Sequence, residues 1–165
     1  MDHLDFRQFF FFGNCIGGSS ALRLMERAPD RVVAAVLSQP IGHRPKKPDV
    51  MYDLSRDVWA KEFRTRRPDV STETMEKYLH DLYRVQSDFV YSVSREFVRN
   101  CQTPMLVLPD DTPAHAYQAA VDIASLAPNA EFTDYPWKDP PELKARTINR
   151  VRAFLKTHLP VTAAR

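Results

Sequence analysis

The amino-acid sequence predicts an α/β protein: a mostly parallel sheet of about four strands covered by helices, with a helical insertion between the second and third strands. Three observations predict it. Short β-rich runs alternate with stretches whose apolar residues recur at helical spacing, the pattern of a parallel sheet covered on both faces. Three of the chain's four glycines, Gly13, Gly17 and Gly18, sit at one strand-to-helix junction, "FFFFGNCIGGSS" over residues 9–20. Residues 44–100 contain no glycine, carry many charges and place Phe89, Val93 and Phe97 at helical spacing.

Taken in order, Phe9–Phe12 is an aromatic run of high strand propensity that stops at Gly13, and it reads as a strand buried on both faces. From Ser19 onward, Ala21, Leu22, Leu24, Met25 and Ala28 keep helical spacing until Pro29 ends it. Val32–Leu37 is a second β-rich run, stopped by Pro40 and Gly42. Within the insertion, Ser71 or Thr72 and Ser87 are candidate N-caps, and Glu73 and Glu76 suit the positive end of a helix. Met105–Leu108 is the third strand. Thr112-Pro113 then supplies a cap and a first-turn proline for a helix to about Ala127. Residues 130–135 form a weaker last strand. Asp139-Pro140 repeats the cap-and-proline device before a helix whose apolar stripe is Leu143, Val151, Phe154 and Leu155.

Composition narrows the classes. A chain of 165 residues fits one domain, and 44% hydrophobic with 27% charged residues is a globular balance. The net charge of +2 is spread over mixed signs, which argues against nucleic acid as a partner. Two cysteines are too few for a disulfide framework, and a reducing compartment is the default. The longest apolar run falls far short of the roughly 20 residues that span a bilayer. The expectation is a soluble, cytoplasmic protein with no membrane partner, no metal and no cofactor.

The glycine-rich junction carries the chemistry. Gly13 and Gly17 flank Cys15 at two-residue spacing, which is G-x-S-x-G with cysteine in place of serine. A nucleophile at the apex of a sharp strand-to-helix turn needs small neighbours, because backbones crowd there. The positive end of the following helix should lower the thiol pKa, and the Ile16 amide would point where an oxyanion forms. Two rival readings stand beside this one. Cys15 could be a buried structural thiol. Residues 13–20 also fit a phosphate loop, but Ser19 stands where its lysine belongs.

On these residues the chain resembles the α/β-hydrolase fold family, and "GNCIGG" is similar to the cysteine elbow of dienelactone hydrolases. "ERAPDRVVAAVLSQPIG" follows the elbow as it does in that fold. The resemblance covers nearly the whole chain. It implies a partial α/β-hydrolase fold, a single truncated domain over residues 1–165 with a lid insertion at approximately 44–100. The strands before the elbow strand would be missing, together with the loop that gives the second oxyanion donor, and Met1 would be an internal methionine. It also implies a small-molecule ester or lactone substrate and a covalent acyl-enzyme.

The family order is nucleophile, acid, histidine, with the acid after the strand that here is 105–108. Asp110 and Asp111 both sit there; Asp111, one step nearer the helix cap, is preferred and Asp110 is the second choice. The family's histidine loop reads "YPWKDPPEL" and holds no histidine. His115, expected in a helical first turn at the sheet's carboxyl edge, is the best replacement, and His43 is the second choice. His3, His80 and His158 are poorly placed. Lys138 occupies the histidine loop, either as a cation near the thiolate or as a surface lysine. In this scheme Cys15 attacks, His115 accepts its proton, and an aspartate orients the ring.

The leading function is therefore a cysteine-dependent hydrolase of esters or lactones, with acyl transfer differing only in the acceptor. The alternative is a catalytically inactive, truncated module that binds a ligand or partner. Trp59, Phe63, Phe89 and Tyr91 in the insertion suggest an apolar acyl or ring moiety. With the first half of the sheet absent, strand 9–12 would be an exposed apolar edge, which predicts a homodimer through it.

Overall fold

Four strands lie side by side in the order in which the chain makes them. The computed structural model describes residues 1–86 and 88–159, so the candidate cap Ser87 lies outside the described residues. Its sheet is β1 (Phe9–Asn14), β2 (Val32–Ser38), β3 (Met105–Leu108) and β4 (Ala130–Phe132), and every pairing is parallel. Parallel neighbours require crossovers. α1 (Ile16–Arg27) connects β1 to β2, and α6 (Tyr117–Leu126) connects β3 to β4. Between β2 and β3 run α2 (Val50–Leu54), a π-helical turn at Ser55–Trp59, α3 (Ala60–Arg66), α4 (Thr72–Tyr83) and α5 (Arg95–Asn100). α7 (Pro141–Thr157) closes the described chain.

The two-residue period of the strands sorts their side chains into two cores. Ala35 and Leu37 of β2, with Met105 and Val107 of β3, pack against Leu22 and Met25 of α1 and Ile123 of α6. Ala34 and Val36, with Leu106 and Leu108, face Phe154, Val151 and Leu155 of α7. A third cluster of Ile41, Met51, Met75, Leu79, Tyr83 and Tyr91 is built largely from the insertion. The insertion is not uniform. Phe89, Val90, Val93 and Val98 belong to the main core instead, so its last part is built into the body of the sheet domain.

β1 departs from the sequence expectation of burial on both faces. Among the described residues it pairs only with β2, Phe9–Phe11 are half-buried, and Phe12 is 59% exposed. Being an edge strand, it has no described neighbour on its other side to cover those rings. The strand also runs past Gly13 to Asn14.

Two helix starts also differ. The helix expected from Pro113 begins at Tyr117, because residues 112–115 close a tight turn in which the Thr112 amide donates to the His115 carbonyl. The Arg44 guanidinium donates to the carbonyls of Thr112 and His115, which a helix would need for its own ladder. α7 begins at Pro141 with Pro140 as its cap, one residue later than the Asp139-Pro140 device suggests.

The predicted cap at Ser71 is present: its hydroxyl accepts from the Thr74 amide at 3.1 Å. Ser94 caps α5 in the same way through the Phe97 amide, which the sequence reading missed. Ser71→Ala should cost about 1 kcal/mol, read as a lower midpoint in urea denaturation with an unchanged slope.

Candidate active site

The register sets the stage. Asn14 of β1 pairs with Ser38 of β2, and Ser38 with Leu108 of β3, so the carboxyl ends of the three strands are level. Cys15 leaves β1 one residue beyond this line and Asp110 leaves β3 two residues beyond it. Two inter-strand steps separate those strands, roughly 10 Å.

Cys15 is the apex of the turn. Its φ of 57° and ψ of −120° are strained for a residue with a Cβ, and it is the cap residue of α1. Its amide donates to Ser38 O at 2.9 Å, which extends the strand ladder into the turn and fixes the apex against β2. Gly13 makes the turn possible: a Cβ there would lie 2.2 Å from the Gly17 carbonyl oxygen. Gly17, by contrast, faces open space and has no positive φ, so only one of the two flanking glycines is required sterically. Because glycine tolerates the apex conformation and alanine does not, Cys15→Gly should be more stable than Cys15→Ala by about 1 kcal/mol, compared by thermal unfolding.

The expectation of a lowered thiol pKa is overturned. Burial pushes the Cys15 thiol above its ordinary value and outweighs the opposing hydrogen bond from the Ile16 amide. The side chain packs against the apolar third cluster, which favours the neutral thiol over thiolate. Ile16 N–H nevertheless faces the sulfur, where an oxyanion donor is needed. Alkylation of Cys15 by iodoacetamide should therefore titrate above the roughly 8.5 of a free thiol, measured by peptide mass spectrometry across pH.

The aspartate beside His115 is Asp110, the second choice, and not the preferred Asp111. Asp110 is 6% exposed, and its Oδ2 lies 3.0 Å from His115 Nδ1. Asp111 turns outward to Arg44 at 3.4 Å. His115 sits in the turn before α6 rather than in a helical first turn, and Thr112 Oγ1 approaches the same Nδ1 at 3.0 Å while accepting from the His115 amide at 3.1 Å. With Nδ1–H directed at the carboxylate, Nε2 carries the lone pair, the arrangement of a general base.

His43 is placed elsewhere. It lines a cavity of about 850 Å³ between the loop after β2 and α6, and its Nδ1 is buried without a partner. His3 lies in a short turn before β1, His80 is exposed on α4, and His158 at the end of α7 bonds Phe154 O at 2.8 Å. Among the described residues, no histidine side chain is hydrogen-bonded to Cys15, and no three His, Cys, Asp or Glu residues gather as a metal site. The turn bearing His115 does reach the cluster that holds Cys15, because Ala114 packs against it.

Lys138 faces Asp110 rather than the thiol of Cys15. Its Nζ donates to Asp110 Oδ2 at 2.8 Å, so the loop that lacks a histidine still delivers a cation to the acid. For Asp110, burial raises the pKa, but the bond and charge of Lys138, with help from the Asp111 amide and His115, bring it below the ordinary value. His115 is lowered, chiefly by burial, against the upward pull of Asp110.

The signs of these shifts make a stability prediction. Folded His115 binds its proton less readily than the unfolded chain does, so stability should fall as pH drops below about 6.5. Ionised Asp110 contributes stability above about 3.9 that is lost as pH falls further, through its lower folded pKa. In His115→Gln the first decline should disappear from the urea midpoint and the second should remain.

A parallel sheet in this order, with a strained residue at a strand-to-helix elbow and an acid after the third strand, is part of the α/β-hydrolase fold. No family model matches the chain, and no curated protein matches it. Solved structures do. A meta-cleavage product hydrolase (CumD) from Pseudomonas fluorescens superimposes with a TM-score of 0.66 at 15% identity, over 96% of this chain and 68% of that one. An alpha/beta hydrolase enzyme from a Medee basin deep-sea metagenome library gives 0.62 at 18% identity, over 94% and 67%. An N-acyl homoserine lactone degrading enzyme gives 0.57 at 17% identity, over 90% and 69%. Among the described residues no helix is long and apolar enough to cross a membrane.

Proposed function

We propose that the chain is a cysteine-dependent hydrolase of small esters or lactones. The observation that carries this reading is the strained backbone of Cys15 at an elbow that a Cβ on Gly13 would destroy. Strain of this kind persists where the surroundings impose it, and it clusters at sites of chemistry.

In the proposed reaction, His115 Nε2 takes the thiol proton as the sulfur bonds to the carbonyl carbon. The base is needed because burial keeps the thiol protonated at neutral pH. The oxyanion meets the Ile16 amide, and Asp110 steadies the imidazolium. Collapse breaks the carbon–oxygen bond to the leaving alcohol, which receives the proton. Water then attacks the thioester, with His115 again accepting a proton, and releases the acid and free Cys15. In a lactone the leaving alcohol remains part of the product. A different acceptor in the second step would make the same elbow an acyl transferase.

α2, α3 and α4 act as the lid. Phe63 and Tyr91 pack on the cluster that holds Cys15 and supply the apolar wall for the acyl group. Phe89 packs in the main core and Trp59, 45% exposed, stacks on Phe63 at 5.4 Å, so neither belongs to that wall.

The test is turnover of p-nitrophenyl acetate together with mass spectrometry of the quenched protein. Acetyl on Cys15, with turnover lost in Cys15→Ala, supports the reading. An unacylated Cys15 and no turnover, with ligand binding retained, would identify a binding module instead.

The open edge of β1 also suits pairing with a second copy, which would cover Phe12 and satisfy its outward backbone groups. Sedimentation should show a dimer at tens of micromolar; a well-behaved monomer there rules the pairing out.

A further inference from the structure

We propose that Lys138 is a positioning residue that sets the proton affinity of His115 through the one carboxylate oxygen the two share. The inference rests on reading Asp110 and His115 as a working pair.

The geometry is specific. Lys138 Nζ and His115 Nδ1 lie 2.8 and 3.0 Å from the same atom, Asp110 Oδ2. Asp110 is buried, whereas the Lys138 side chain keeps 38% of its exposure, so its ammonium reaches in from the rim. The loop is anchored where it does this. Trp137 Nε1 donates to Pro109 O at 2.6 Å, next to Asp110 in the chain, and Lys138 Nζ lies 5.3 Å from the centre of the Trp137 ring. An ordinary surface lysine would not need a buried-side clamp to hold its loop against the acid.

The consequence is electrostatic. A carboxylate oxygen that serves two donors gives each a weaker bond than it would give one alone, and a fixed cation beside an imidazole disfavours imidazolium. The charged and polar groups around His115 come from three segments. Asp110, Asp111 and Thr112 precede it in its own loop. Arg44 from the loop after β2 lies 3.0 Å from its carbonyl oxygen. Lys138 comes from the loop after β4. Both cations act in the same direction and Asp110 opposes them. Lys138 thus favours the ionised form of Asp110 and, alongside burial, the neutral form of His115, the form a base uses.

The experiment is an NMR pH titration of the His115 Cε1–H signal in the full chain, for wild type, Lys138→Met and Lys138→Arg, with thermal unfolding as a check on folding. In Lys138→Met the midpoint should rise by on the order of one unit, and Lys138→Arg should restore it. The acid limb of any ester turnover should move up by the same amount. A midpoint unchanged in Lys138→Met overturns the inference, whatever the activity. If the midpoint moves and the wild type turns over no ester, the Lys138 inference stands and the hydrolase reading fails. Should Lys138→Met unfold, Lys138→Gln takes its place: a raised midpoint supports the inference, and one matching wild type overturns it.

Discussion

Gly13→Ala should leave little native protein. The added Cβ would sit 2.2 Å from Gly17 O, 2.4 Å from Gly17 C and 2.8 Å from Gly18 N, all backbone atoms of the first turn of α1. No side chain can swing aside to relieve contacts of that kind. The start of α1 would have to move off β1, breaking the elbow and drawing the Ile16 amide away from Cys15. A loss of about 4 kcal/mol or more is expected, a large part of the roughly 5–15 kcal/mol that holds a domain together. Gly17→Ala is the matched control. Its Cβ meets nothing within 4 Å, and it lies within α1, so it should be neutral or stabilising by up to about 1 kcal/mol. Urea denaturation of both variants decides the matter. A Gly13→Ala protein within about 1 kcal/mol of wild type would mean the elbow is not the tight turn described.

Asp110→Asn should have the largest effect on the proposed chemistry short of removing Cys15 or His115. The amide keeps the shape of the carboxylate but loses its charge, so it no longer fixes the Nδ1–H tautomer of His115 and leaves Lys138 without a counter-charge. Ester turnover should fall by about 10³-fold or more, and stability by about 1–3 kcal/mol. The stability loss is moderated because Lys138 can turn to solvent. Asp111→Asn, at a residue that meets only Arg44 on the surface, should change either quantity little. A larger loss of turnover in Asp111→Asn than in Asp110→Asn would assign the acid's role to Asp111.

Much of the fold was legible because its signals are local. Val32–Leu37 and Met105–Leu108 are short β-rich runs bounded by turn residues, and Ser71 announced its helix. What could not be read was decided by groups distant in sequence. Phe9–Phe12 has the composition of a buried strand, and only the strand order shows that it lies at an edge. Thr112-Pro113 carries the signal for a helix start, but Arg44, 68 residues earlier, claims the carbonyls that a helix would use. Which of Asp110 and Asp111 faces His115 turns on a single residue of register, which no spacing rule fixes. The sequence places Cys15 at a helix N-terminus, but not within the apolar cluster assembled from residues 41 to 91, and burial there raises the thiol pKa against the Ile16 amide bond. Lys138 could be linked to Asp110 only once β3 and β4 were known to be neighbours.

The position of Cys15 directly after the edge strand has a dynamic consequence. A central strand can part from one neighbour and still be held by the other, whereas among the described residues β1 is tied to the sheet by β2 alone. Local opening free energies vary across a structure, and the weakest segments exchange their amide hydrogens first. Amides of Phe9–Asn14 should therefore exchange with deuterium well before those of Ala35–Ser38 and Leu106–Leu108. The elbow would then be the part of the sheet that breathes most readily, and anything that pairs with β1 from outside would slow that breathing and stiffen the turn at Cys15.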